Sequence, residues 1–93
     1  MARKTLIDSD LIELLESAAL TNGKSAARRG DVDAQSWWHM CAGHLGDAVQ
    51  SADSIGFAGI ARRAIGLARY CAETAMLYEE CTMEMKISRR RAA

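Results

Sequence analysis

The sequence predicts an all-α fold. The expected architecture is an antiparallel helical hairpin (about residues 33–54 and 57–88) with a shorter N-terminal helix, pairing into a dimeric helical bundle. Three observations carry this. The chain has 93 residues and no proline, so nothing in it must break a helix. Apolar residues recur at steps of three and four along most of its length, and no alternating β-pattern interrupts them. It holds 17 alanines and 5% aromatic residues, which makes a core thin in volume. Close helix packing or the pairing of two chains remedies a thin core.

The elements follow in order. Residues 1–8 are expected to be flexible. The first helix is expected to start near Ser9 or Asp10, where Asp10 and Glu13 have capping-box spacing and the acid suits the positive helix end. Leu11, Leu14, Leu15 and Ala18 form its expected inner stripe. Asn22-Gly23 is the expected stop, because both residues tolerate the left-handed backbone. The alternative is a helix that continues through Ala26 and Ala27 to Arg29 and ends at Gly30.

Asp31 or Asp33 can cap the second helix. Its stripe is Ala34, Trp38, Cys41, Leu45, Ala48 and Ala52. Ser54-Ile55-Gly56 turns the chain. The third helix is the long one, with an expected seam of Phe57, Ile60, Ala64, Leu67, Cys71, Thr74, Tyr78, Cys81 and Met85. Steps of three and four hold one helix face against a neighbour. Residues 89–93 are expected to be flexible. The whole chain, 1–93, reads as one domain.

The long helix also carries Met76, Leu77, Met83 and Ile87 off this seam. One helix neighbour cannot cover both faces, so the surplus points to a second subunit or a larger protein. Trp37 and Met40, on a flank of the second helix, extend the expected contact surface. Tryptophan anchors binding hot spots, and methionine adapts to irregular partners.

The formal net charge is zero, which argues against a general affinity for nucleic acid or anionic membrane. The alternative contact for anions or nucleic acid is Arg62, Arg63 and Arg69 with the tail Arg89, Arg90 and Arg91. The bland reading of that tail is a favourable match to the helix macrodipole. Three cysteines, with no apolar leader after Met1-Ala2-Arg3-Lys4, are expected to be reduced thiols in the cytoplasm. No converging carboxylates or nucleophile–base pair stands out, so no enzyme activity and no cofactor are expected. His39, Cys41 and His44 lack metal-ligand spacing, so no metal is expected.

His44 on a helix, followed by Ser54-Ile55-Gly56-Phe57, is similar to histidine phosphotransfer domains. The resemblance covers about a sixth of the chain and implies His44 as a phosphoacceptor. The family pattern has lysine three residues after the histidine and glycine four after. Here those positions are Asp47 and Ala48, and an acid repels a phosphoryl group. The overall build, small, neutral and helical with spare apolar surface, is similar to that of helical antiactivators that sequester quorum-sensing transcription factors. It is also similar to that of phage-coded inhibitors. That likeness implies a bacterial or phage regulator that binds a larger protein and inhibits it.

Overall fold

The computed structural model describes residues 9–52 and 58–92. They form three helices: α1 (Ser9–Arg28), α2 (Val32–Ala52) and α3 (Ala58–Ala92). The all-helical class is as the sequence predicts. The expectations for residues 1–8, the turn at Ser54-Ile55-Gly56 and seam residue Phe57 lie outside the described residues. The third helix continues through Arg89–Arg91 to Ala92, past the expected helix end at 88, and Ala93 lies outside the described residues. Basic side chains in the last turn suit the negative helix end.

The first helix does not stop at Asn22-Gly23. Gly23 is buried within α1, and a Cβ there would meet His39 Cδ2 at 3.1 Å and Trp38 Cβ at 3.4 Å. This glycine lets α1 and α2 approach closely. The stop is Gly30, whose φ is 77°, a backbone state that costs glycine little. Gly30 N–H donates to Ala27 C=O at 3.0 Å, and Asp31 N–H to Ala26 C=O at 2.9 Å. That pair of bonds is the Schellman closure. Asp31 then caps α2: its Oδ1 accepts from Ala34 N–H at 3.2 Å. One buried residue thus ends one helix and starts the next.

The second helix is the middle layer and packs against both α1 and α3. Its buried residues are Ala34, Trp38, Cys41, Ala42, Leu45 and Ala48. This matches the expected stripe except for Ala52, which is half-buried. The other two stripes differ from expectation. The buried face of α1 is Ile12, Ala19, Gly23 and Ala26, whereas Leu11, Leu14, Leu15 and Ala18 are exposed. The buried face of α3 is Ala61, Ala64, Ala68, Cys71 and Ala75. Of the expected seam, Ala64 and Cys71 are buried, while Ile60, Leu67, Tyr78, Cys81 and Met85 are exposed.

The physical reason is the same in both helices. Small side chains let helix axes come together and bring many atoms into dispersion contact. Alanine-rich stripes therefore take the inside, and the bulky residues are left on the flanks. The third helix is also much longer than its neighbour, 35 residues against 21. At 1.5 Å per residue it outreaches α2 by roughly 20 Å. The molecule is a rod of 63 × 18 × 17 Å.

Candidate functional site

The helices α1 and α3 both rest on α2 and leave an apolar groove between them. Leu15, Ala18 and Asn22 of α1 form one wall. Ile65, Ala68, Arg69 and Ala72 of α3 form the other, and Trp38, Cys41 and Leu45 of α2 form the floor. The groove continues toward the overhang, where Asn22, Ser25, Arg29, Trp38, Met76, Glu79 and Met83 line it. Besides the buried Ala68, the side chains of α3 that face it are Ile65, Arg69, Ala72, Met76, Glu79 and Met83, at alternating steps of four and three. That is one continuous helix face.

One polar network crosses the groove. Glu79 Oε2 accepts from Arg29 Nη2 at 2.7 Å and from Trp38 Nε1 at 3.1 Å. It ties the end of α1 and the floor of α2 to α3. The bond satisfies the indole N–H, which a buried tryptophan requires. Arg69 forms only an exposed pair with Glu73 at 3.4 Å, and such pairs contribute little.

The sequence-predicted contact residues divide between faces. Met76 and Met83 line the groove, and Ile87, four residues on, continues their face beyond it. Leu77 is exposed and lies a hundred degrees around the helix from Met76. Trp37 is half-buried and meets Tyr70 edge-on, with ring centroids 5.9 Å apart. Neither Trp37 nor the exposed Met40 lines the groove. The groove residues Leu15, Trp38, Cys41, Ile65 and Ala72 were not among the expected contacts. Leu15, Trp38 and Cys41 stand on stripes expected to be core, whereas Ile65 and Ala72 lie off the expected seam of the third helix.

The arginines are also spread around α3. Arg62 and Arg69, seven apart, share a face, and Arg63 is turned away from both. Arg63 lies in a shallow cleft with His44, Asp47 and Leu67. Arg89, Arg90 and Arg91 are exposed in the last turn. Among the described residues no group of three or more metal-ligating side chains converges. No helix is long and apolar enough to cross a membrane.

Comparison with family models, curated proteins and solved structures gives no match to this chain. Chemistry alone therefore assigns the face. Cys41 and Cys71 are free and buried, and Cys81 is free and exposed. Burial pushes the Cys41 thiol up, and the Cys71 sulfur beside it adds to the shift. Burial also pushes Cys71 up. Both are protonated, inert fillers at neutral pH rather than nucleophiles. What the groove offers is an apolar floor, walls that mix alanine with Leu15 and Ile65, and methionines beside a few polar groups at one end. Those properties suit another helix.

Proposed function

We propose that this chain is a small non-enzymatic regulatory protein of the cytoplasm that binds a larger protein and sequesters it. Its scaffold is an antiparallel α2–α3 hairpin, and its working surface is the open face between α1 and α3. One observation carries the reading: α1 and α3 bury mainly small residues and leave most of their large apolar ones outside. On the open face Leu15 is 48% exposed, Met76 46% and Met83 57%. Isolated exposed leucines are ordinary, but a continuous apolar face marks an interaction site. The neutral net charge favours a protein contact over a polyanion.

The contact is the helix-in-groove kind, with anchors one and two turns apart. A regulator of this build inhibits by covering a surface that its target needs, such as a dimer interface. The test is affinity capture from the source cell by tagged wild type and by a Met76→Glu/Met83→Glu variant, followed by mass spectrometry. The expected result is a transcription regulator recovered with wild type and lost with the variant. Equal recovery by both proteins, or no specific protein with either, sinks the reading. Steep salt-dependent retention of the purified protein on DNA would replace it with the arginine-based alternative.

A further inference from the structure

We propose that the open face closes against the same face of a second copy, with the two α3 helices antiparallel about a two-fold axis between Ala72 and Met76. This rests on the proposed function's claim that the open face is a contact surface, and it makes the second copy and the larger protein competitors for that face. Along that face, apart from the buried Ala68, the order is Ile65, Arg69, Ala72, Met76, Glu79 and Met83.

Reversed onto itself, this series is self-complementary. Ile65 falls opposite Met83 of the second copy, so bulky apolar groups meet at both ends. Arg69 falls opposite Glu79 of the second copy, whose Oε2 its own Arg29 and Trp38 hold, so a cation meets the remaining edge of a fixed carboxylate. Ala72 falls opposite Met76 of the second copy, so a small group meets a large one. Every position is satisfied twice, which an isologous interface demands. A parallel pairing would instead set Arg69 on Arg69 and Glu79 on Glu79, and like charges in register repel.

The area also fits. The face from Ile65 to Met83 is roughly 27 Å long at 1.5 Å per residue, on a body 17–18 Å thick. Two such faces bury on the order of 1,000 Å², which reaches the lower bound for a specific interface. The rod form of the chain supports the same pairing. Among the described residues no helix lies beside the overhang of α3, and a second α3 of equal length reaches along it.

The test uses the full chain with Cys81→Ser, because Cys81 is the exposed thiol. Molar mass at about 100 μM is expected to be twice the 10.1 kDa of one chain, and Met76→Glu is expected to weaken the pair at least tenfold. Spin labels at Glu73→Cys lie within about 20 Å of each other across the axis, whereas labels at Lys86→Cys lie about 35–40 Å apart. Short distances at both positions mean a parallel pair and overturn the proposal. A monomer at this concentration overturns it too, as does a Met76→Glu variant that still pairs like wild type. Target capture reads out separately. A chain that is monomeric at 100 μM and still captures the regulator refutes the pairing alone, and a chain that pairs at 100 μM yet captures nothing when diluted to the monomer refutes the proposed function alone.

Discussion

At Asp31 one residue is used twice. Its backbone N–H closes α1 on Ala26, and its carboxylate caps α2 at Ala34. Replacing Asp31 by alanine leaves the closure and removes the cap, so the expected loss is about 1 kcal/mol. Gly30→Ala keeps the cap and strains the left-handed backbone, at a similar cost. Urea unfolding of both variants checks this, and a loss below about 0.3 kcal/mol for Asp31→Ala would show that solvent caps α2 equally well. The buried thiols make a second residue-scale prediction. Both Cys41 and Cys71 titrate above the ordinary value of 9.0 in the folded chain. Unfolded thiols release their protons first as pH rises, so the unfolded state then binds fewer protons than the folded one. The stability they contribute is therefore full below about pH 8.5 and falls as pH climbs from there through the folded values. A Cys41→Ser/Cys71→Ser variant should lose less stability than wild type between pH 7.5 and 9.5, measured by unfolding at both pH values. An equal loss would show that other groups cause the alkaline decline.

At the scale of the element, the decisive feature is which stripe of a helix faces inward. In α2 the stripe was legible, because Trp38, Cys41 and Leu45 are both the bulky residues and the buried ones. It was not legible in α1 and α3, where size and burial part company. The expected seam of α3 followed Ile60, Leu67, Tyr78 and Met85, yet Ala61, Ala68 and Ala75 lie at 0–2% exposure. Periodicity alone scores both stripes, since each repeats at three and four. Only the fit against α2 separates them, and a wide middle helix with Trp38 on it leaves room for alanines. The same ambiguity hid the site: Leu15 and Ile65 carry a clear apolar signal, but the sequence cannot say that it faces a groove. The two assignments differ in what substitutions do. Ala75→Leu pushes a large group into a closed seam and should cost about 1–3 kcal/mol. Leu67→Ala trims a side chain already 40% exposed and should cost less than about 1 kcal/mol. Thermal unfolding of the pair decides the matter, and the reverse ranking would restore the bulky seam.

For the whole molecule, the alanine seams and the open face are two sides of one arrangement. Small residues inside hold three helices closely with little buried volume, so the fold gains less from burial than its apolar content suggests. The large residues left outside contribute only when something covers them. Stability and assembly are then linked by mass action, because a partner that binds the folded chain stabilises it. For a dimer, each tenfold rise in protein concentration adds about 0.7 kcal/mol per chain. In a domain of this size, a hundredfold rise should lift the melting temperature by roughly 5–10 °C. The Met76→Glu chain keeps every seam residue and places a charge at the centre of the face. Its melting temperature should sit near the dilute wild-type value and stay there at all concentrations. Circular dichroism melts from about 1 to 100 μM check both chains. A wild-type melting temperature that ignores concentration would mean that the three helices stand alone. The exposed methionines and leucines would then be surface that assembly does not use.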